Sequence, residues 1–328
     1  MAVEIKTGTV TSWHSLSSTL AIFRLMPGEG SWFPQYRAGQ YIALRRDDCK
    51  LTRRVVGPDG RPRFVPELDE SGQQKRGPVT HSYSIASAPY ATGREGHLEF
   101  YVVLESDDEN QPGRLTESLF RIRPASDNRL TYVNRIVGEF TLERRAQGFA
   151  NVVMVGTGTG LAPFVSMLRQ RNFDAAAQPN GVRYTLLHAN RTFAELGYHE
   201  ELQAIEAQRR LDFVYLPSVS RPTARDFEDR LLGRGRANNV LRLILGLPSK
   251  EEESLAEAQA ARAETSEAEA ALAKATPAAL TPGRTPEDLR ARFDPTQTVV
   301  LTCGNPALMA DIKRATDLRG IPFEKEDW

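Results

Sequence analysis

The chain has 328 residues, 40% hydrophobic and 26% charged, and its 42 Lys+Arg balance 42 Asp+Glu to a formal net charge of +0. That length is roughly two domains, the composition excludes a wholly disordered polymer, and the charge leaves no global basic excess for nucleic acid. Apolar runs fall short of the ~18–20 residues of a membrane span, MAVEIKTGTV lacks a secretory pattern, and Cys49 and Cys303 supply neither a disulfide framework nor a metal cage; a metal-free, cytoplasmic monomer is the expectation.

The first half reads as strands. Gln40–Leu44, Leu98–Leu104 and Gly138–Leu142 are short, aliphatic and aromatic, and divided by Gly, Pro, Asp and Asn clusters. Short strands with frequent turn signals predict a closed or nearly closed antiparallel β-barrel. Between them, Cys49 to Thr80 is polar, contains Gly57-Pro58-Asp59-Gly60, and reads as a long excursion between two barrel strands.

The character changes near Gln147-Gly148, which places the domain boundary between 147 and 148. From there strand and helix alternate: Val152–Val155, a glycine-rich turn, a helix over Ala162–Arg171, a strand at Arg183–His188, a helix at Ala194–Arg209 and a strand at Asp212–Leu216. Thr298–Thr302 reads as the final strand, followed by a helix from Ala307 to about Arg319. Alternation of this kind predicts an α/β domain with a parallel sheet covered by helices.

One stretch stands apart. Residues 249–276 hold ten alanines and seven glutamates, with Leu255 and Leu272 as the large aliphatics. The composition favours helix, but two leucines make no apolar stripe. An insertion spanning about 249–292, either an exposed helix or partly ordered, is expected, with a lid over a nucleotide or a partner-docking element as the functional alternative.

Three motifs carry chemistry. Val155-Gly156-Thr157-Gly158-Thr159-Gly160-Leu161-Ala162-Pro163 runs from a buried strand through alternate glycines into a helix opened by proline. Glycines admit a phosphate close to the backbone, and the helix start offers free N–H groups; a purely structural tight turn is the competing reading. His81-Ser82-Tyr83-Ser84-Ile85-Ala86-Ser87 is either a hydroxyl-lined site or an ordinary sheet face. Cys303-Gly304-Asn305-Pro306 follows a strand directly, where open α/β sheets bind ligands, although a lone cysteine also serves as a small buried hydrophobe.

In this order the motifs, together with Gly113-Arg114-Leu115-Thr116, resemble the ferredoxin–NADP reductase family, most closely its bacterial ferredoxin/flavodoxin–NADP reductases. The resemblance covers most of residues 1–248 and 296–328. It implies an FAD-binding barrel over 1–147 and an NADP-binding α/β domain over 148–328. The family's R-x-Y-S-x-x-S motif matches His81 to Ser87 except at the first position, where histidine replaces the arginine that meets the FAD pyrophosphate. An imidazole holds a phosphate less firmly than a guanidinium. By the same resemblance Tyr83 stacks on the flavin, Ser84 bonds to its N5, Ser82 belongs to the same FAD-binding motif, and Arg114, Leu115 and Thr116 form the second pyrophosphate turn. Tyr101 and Val102 belong to the strand along the flavin ring.

For the pyridine nucleotide, the resemblance assigns Gly156, Thr157, Gly158, Thr159, Gly160 and Pro163 to the pyrophosphate loop, with Thr159 near both nicotinamide and flavin. Arg191, Ser220, Arg221 and Arg236 take the adenosine phosphate; a set of cations suits a 2′-phosphate and favours NADP over NAD. Cys303 and Gly304 lie beside the nicotinamide, the thiol as a positioning group rather than a nucleophile. Glu326 matches the acidic residue before the terminal aromatic, and Trp328 that aromatic itself, which covers the flavin. The implied activity is hydride exchange between NADP(H) and FAD and single-electron exchange with a ferredoxin or flavodoxin, drawn in by Arg45, Arg46, Arg53 and Arg54. The reductase component of an oxygenase, a free flavin reductase and a non-catalytic flavin- or nucleotide-binding regulator remain alternatives.

Overall fold

The computed structural model describes residues 4–57, 60, 62–106, 112–229 and 231–326, with the backbone alone at Pro62 and Glu228. Pro58, Asp59 and Trp328, named above, lie outside this set. Two units divide the chain, Met1–Gly138 and Glu139–Trp328. The division falls upstream of residue 147, because Phe140 already packs edge-on against Phe164 of the second unit, ring centroids 5.7 Å apart.

The first unit is built on strands β1 (Ile5–Ser15), β2 (Leu20–Met26), β3 (Tyr41–Lys50), β4 (Thr52–Val56), β5 (Pro62–Pro66), β6 (Arg76–Ser84), β7 (Leu98–Val103) and β8 (Arg129–Val137). Six of them form an antiparallel sheet in the order β6-β3-β8-β1-β2-β7, while β4 and β5 pair as a separate hairpin. Period-two alternation sets the faces: along β3, Ile42, Leu44 and Arg46 point inward while Tyr41, Ala43 and Arg45 are more open. Phe23 stacks between Trp13 and Phe100, at centroid distances of 5.3 and 5.1 Å. Fully burying each such ring contributes about 1.5–3 kcal/mol. The two edge strands approach where Ala86 N donates to Glu99 O at 2.8 Å, so the sheet curls towards a barrel.

Two expectations change here. Gly138–Leu142 is no strand; β8 ends at Val137, Gly138 turns the chain at φ 120°, and a four-residue helix follows the extended Thr141 over Leu142–Arg145. The polar excursion is shorter than expected, since β3 runs to Lys50, β6 begins at Arg76, and the β4–β5 hairpin occupies much of the interval.

The second unit holds β9 (Asn151–Thr157), β10 (Arg183–Asn190), β11 (Asp212–Val219), β12 (Gly233–Arg234), β13 (Thr298–Cys303) and β14 (Phe323–Lys325). They form one parallel sheet in the order β12-β11-β10-β9-β13-β14. β9 and β13 are buried along their entire lengths, as the centre of a helix-covered parallel sheet requires. After β9 the chain builds outward to β12, then returns to place β13 on the other side of β9, so the order reverses between β9 and β13.

Helices follow at Ala162–Asp174, His199–Gln208, Ala237–Ile244 and Pro306–Asp317. The expected Ala194–Arg209 helix is broken: a short 3-10 turn at Phe193–Glu195 ends before Tyr198, which sits at φ 62° and restarts the chain as a helix. β13 is not the last strand, because Phe323–Lys325 adds a short parallel edge. The insertion forms three helices, Lys250–Ala260, Ser266–Lys274 and the short Pro286–Arg290. Ser249 opens the first with a capping box to Glu252. Beneath it, fully buried Arg242 donates to Asp311 at 2.5 and 2.9 Å and to Glu253 at 2.8 Å, joining the Ala237–Ile244 helix to the insertion and the last helix.

Candidate functional site

In the first unit, His81, Ser82, Tyr83 and Ser84 end β6, an edge strand of the sheet. His81 and Ser82 are exposed, Tyr83 is half-buried and Ser84 is buried. Burial pushes the Tyr83 hydroxyl pKa up, with the charge of Glu105 adding to the shift, so the ring stays neutral. Beyond the strand, Ser87 is buried and its hydroxyl accepts from Glu99 N at 3.1 Å, while Tyr36 Oη lies 2.8 Å from Thr92 Oγ1 and donates to Ser87 O at 3.0 Å. This cluster fixes the chain leaving β6, and sequence reasoning passed over Tyr36 and Thr92. Tyr101 and Val102 on β7 are buried, as are Leu115 and Thr116 in the first turn of the Arg114–Phe120 helix, with Arg114 half-exposed. A flat aromatic group fits an open strand edge carrying a half-buried tyrosine, and the exposed His81 imidazole can donate to a phosphate.

In the second unit, β9 and β13 deliver their loops to the point where the sheet order reverses, which is where open α/β sheets bind ligands. Glycine is demanded there sterically. A Cβ on Gly160 would lie 2.2 Å from Cys303 O, and one on Gly304, at φ 130°, would lie 2.2 Å from Thr157 Oγ1. Gly158 turns at φ 55° with nothing within 4 Å of a built Cβ, leaving open space above the loop. Thr157 is buried and accepts from Asn305 N at 3.3 Å; Thr159 is half-exposed; Pro163 starts the Ala162–Asp174 helix, buried. A phosphate-bearing nucleotide fits this cradle at Gly158, where the backbone is left uncovered.

Cys303, fully buried, ends β13, and its Sγ lies 3.8 Å from Glu326 Oε2 as a thiol donor to the carboxylate. Glu326 is itself buried, and its backbone N donates to Thr302 O at 3.0 Å, continuing the β13–β14 pairing past Lys325. Residues 23 positions apart thus meet because β14 lies parallel to β13.

Arg191, Ser220 with Arg221, and Arg236 lie just beyond the carboxyl ends of β10, β11 and β12. Backbone bonds tie these ends together: Ser220 N to Asn190 O at 3.0 Å, Arg221 N to Arg191 O at 2.8 Å, and Gly235 N to Val219 O at 2.9 Å. The structure therefore gathers the expected arginines at one sheet end. It also shows partners that the sequence did not announce. Arg191 donates through two nitrogens to the buried Glu195, at 2.9 and 2.5 Å, and this carboxylate raises the arginine pKa against the opposing effect of burial. Arg236 Nη1 lies 3.6 Å from Glu251 Oε1. Arg221 is exposed, with no ion pair among the described residues.

Of the arginines expected to attract a carrier, Arg46 is buried, bridging Asp127 at 2.7 Å and Asp48 at 3.2 Å, and so presents no surface charge. Arg45 pairs with Asp47 at 2.8 Å, whereas Arg53 and Arg54 on β4 are exposed. Among the described residues no group of three or more His, Cys, Asp or Glu is placed to hold a metal, and no helix is long and apolar enough to cross a membrane.

Residues 154–234 match the family model described as "Oxidoreductase NAD-binding domain". The flavodoxin/ferredoxin–NADP reductase of Rhodobacter capsulatus is 30% identical over 194 residues, 59% of this chain and 56% of that protein. The flavohemoprotein of Bordetella pertussis is 26% identical over 216 residues, 63% of this chain and 44% of that protein. The chain thus spans about half the length of these curated relatives. In fold, it superposes on a ferredoxin NADP+ reductase from Neisseria gonorrhoeae, solved with bound FAD and NADP, at a TM-score of 0.57 and 17% identity, covering 99% of each chain.

Proposed function

Because the chain belongs to the ferredoxin–NADP reductase family, we propose that it exchanges a hydride between NADP(H) and FAD, and single electrons between FAD and a ferredoxin or flavodoxin. The observation that carries this reading is the buried Cys303–Glu326 pair, seated at the sheet's reversal point against the glycine loop. When bound, the flavin supplies the two-electron and one-electron chemistry. The residues of the chain bind and orient. Gly156, Gly158 and Gly160 open the backbone to the nucleotide pyrophosphate, with Thr157, Thr159 and Pro163 framing it. Arg191, Ser220, Arg221 and Arg236 receive the adenosine end. Cys303, with its proton directed to Glu326, offers a neutral polar surface to the nicotinamide rather than a thiolate nucleophile, and Gly304 lets the two strand ends close. On the flavin side His81, Ser82, Tyr83, Ser84, Arg114, Leu115 and Thr116 hold the group, over Tyr101 and Val102. The exposed Arg53 and Arg54 suit an acidic carrier protein.

Anaerobic titration of the purified protein with NADPH, and separately with NADH, tests the reading through the flavin's visible band. Bleaching by NADPH at lower concentration than by NADH is expected. A flavin band that neither nucleotide bleaches would favour a binding or regulatory protein, and no flavin uptake at all would remove the His81–Ser84 site. The flavohemoprotein relatives support a second reading, a reductase unit serving a centre other than a free carrier. Reduction of a ferredoxin or flavodoxin in a coupled assay separates the two.

A further inference from the structure

Both ends of the Ala/Glu-rich insertion are fastened to the arginine-bearing end of the parallel sheet. At its start, Lys250 N donates to Asn239 Oδ1 at 2.9 Å and Asn239 Nδ2 donates to Glu251 Oε2 at 2.7 Å, both side chains buried. This leaves Glu251 Oε1 facing Arg236, 3.6 Å away. At its finish, Thr276 Oγ1 donates to Ser220 O at 2.7 Å, and Ala279 exchanges backbone hydrogen bonds with Arg234 at 2.8 and 3.0 Å. Gly235 lies so close beneath that a Cβ there would be 2.9 Å from Ala278 Cα. The insertion is therefore part of the wall around Ser220, Arg221 and Arg236.

The charge that the insertion sets against Arg236 is negative. Glu251 lies in the first turn of the Lys250–Ala260 helix, where the N-terminal dipole favours a carboxylate and the Asn239 bond holds it in place. A 2′-phosphate arriving at Arg236 meets a guanidinium already facing a fixed carboxylate, and must approach that carboxylate's charge. A nucleotide with a free 2′-hydroxyl meets no such opposition.

We infer that Glu251, supplied by the insertion, is a specificity-determining residue that holds down the preference for 2′-phosphorylated nucleotides by occupying Arg236. The inference rests on the proposed nucleotide site. Arg236 is largely exposed, so the ion pair is solvent-screened and the effect moderate.

The test is calorimetric titration of the full-length protein with adenosine 2′,5′-bisphosphate and with adenosine 5′-monophosphate, which needs no turnover. Glu251→Gln keeps an oxygen for the Asn239 bond and is expected to tighten the bisphosphate by about three- to tenfold while leaving the monophosphate unchanged. In an Arg236→Gln background the same substitution should lose most of that gain. An unchanged affinity ratio, or an equal gain with and without Arg236, overturns the inference. Should Glu251→Gln fail to fold, Arg221→Gln and Arg236→Gln decide it. The loss of bisphosphate affinity should be larger for Arg221, which has no ion pair among the described residues, and the reverse order overturns the inference. A folded wild-type protein that binds neither nucleotide would instead remove the underlying site.

Discussion

The two ends of the nucleotide cradle are held by different physics. At the β9–β13 end, backbone meets backbone: Gly160 lies against Cys303 and Gly304 against Thr157, with the thiol and carboxylate buried beyond. At the β10–β12 end, exposed arginines meet buried carboxylates, Arg191 with Glu195 and Arg236 with Glu251. At Gly160 and Gly304 the first end tolerates no added atom, whereas the second is adjustable one charge at a time. Under the proposed function, reactive geometry belongs to the packed end and selectivity to the ionic one.

The strongest challenge to that division is Arg242, a fully buried ionic group beneath the arginine end, paired with the buried Asp311 and the partly buried Glu253. Arg242→Ala leaves the buried Asp311 carboxylate without its cation and is expected to cost about 3–5 kcal/mol in urea unfolding; a loss below 1 kcal/mol would mean that water reaches the cluster. Burial, rather than charge itself, then separates the two classes. Gly160→Ala comes next. The added methyl meets a carbonyl oxygen in a strand, which cannot swing aside, so about 3 kcal/mol of destabilisation is expected, with loss of nucleotide binding by calorimetry. Retained stability and binding would show the loop to be softer than its packing.

A third prediction concerns a buried titratable group in the same sheet. His188 lies 2.9 Å from Tyr215 Oη, which also lies 3.0 Å from His199 Nδ1. Burial, helped by the nearby His199, pushes the His188 pKa from its ordinary 6.5 down to about 3. The unfolded chain therefore takes up a proton below about pH 6.5 that the folded chain refuses until about pH 3. Stability falls as pH drops through that window. His188→Phe should shrink the loss of unfolding free energy between pH 7 and pH 5 by about 2 kcal/mol; an unaltered pH dependence would refute the assignment. The smallest effect is expected at Arg221→Gln, within about 0.5 kcal/mol of wild-type stability, although nucleotide affinity drops. A large change in melting would show that this arginine also holds the fold.

Much of the packed end was legible because sterics write themselves into residue type. Alternate glycines after a continuous apolar strand, and Cys303-Gly304 after another, name positions where side chains are forbidden, and the α/β alternation placed both on strand ends. The ionic end was legible only by half. The arginines stand at motif positions, but Glu195 and Glu251 look like any surface glutamate until folding brings them near. Arg46 failed for the converse reason, since nothing local in Arg45-Arg46 tells which of two arginines a strand turns inward. Gly138–Leu142 has strand-like apolar residues, yet Gly138 breaks the extension. The Ala194–Arg209 helix was expected unbroken because the left-handed Tyr198 carries no glycine signature. β14 is too short to leave a periodic trace, and with it went any sight of the Cys303–Glu326 contact.

The antiparallel return of the insertion along β12 has one further consequence. A parallel sheet ends in a strand whose outer N–H and C=O groups invite pairing with another molecule. Here β12 is two residues long, and Arg234 gives its outward backbone groups to Ala279. The segment after the two polar helices therefore seals a sticky border, so removing the insertion would lay that border bare and favour self-association in a chain whose charges sum to zero.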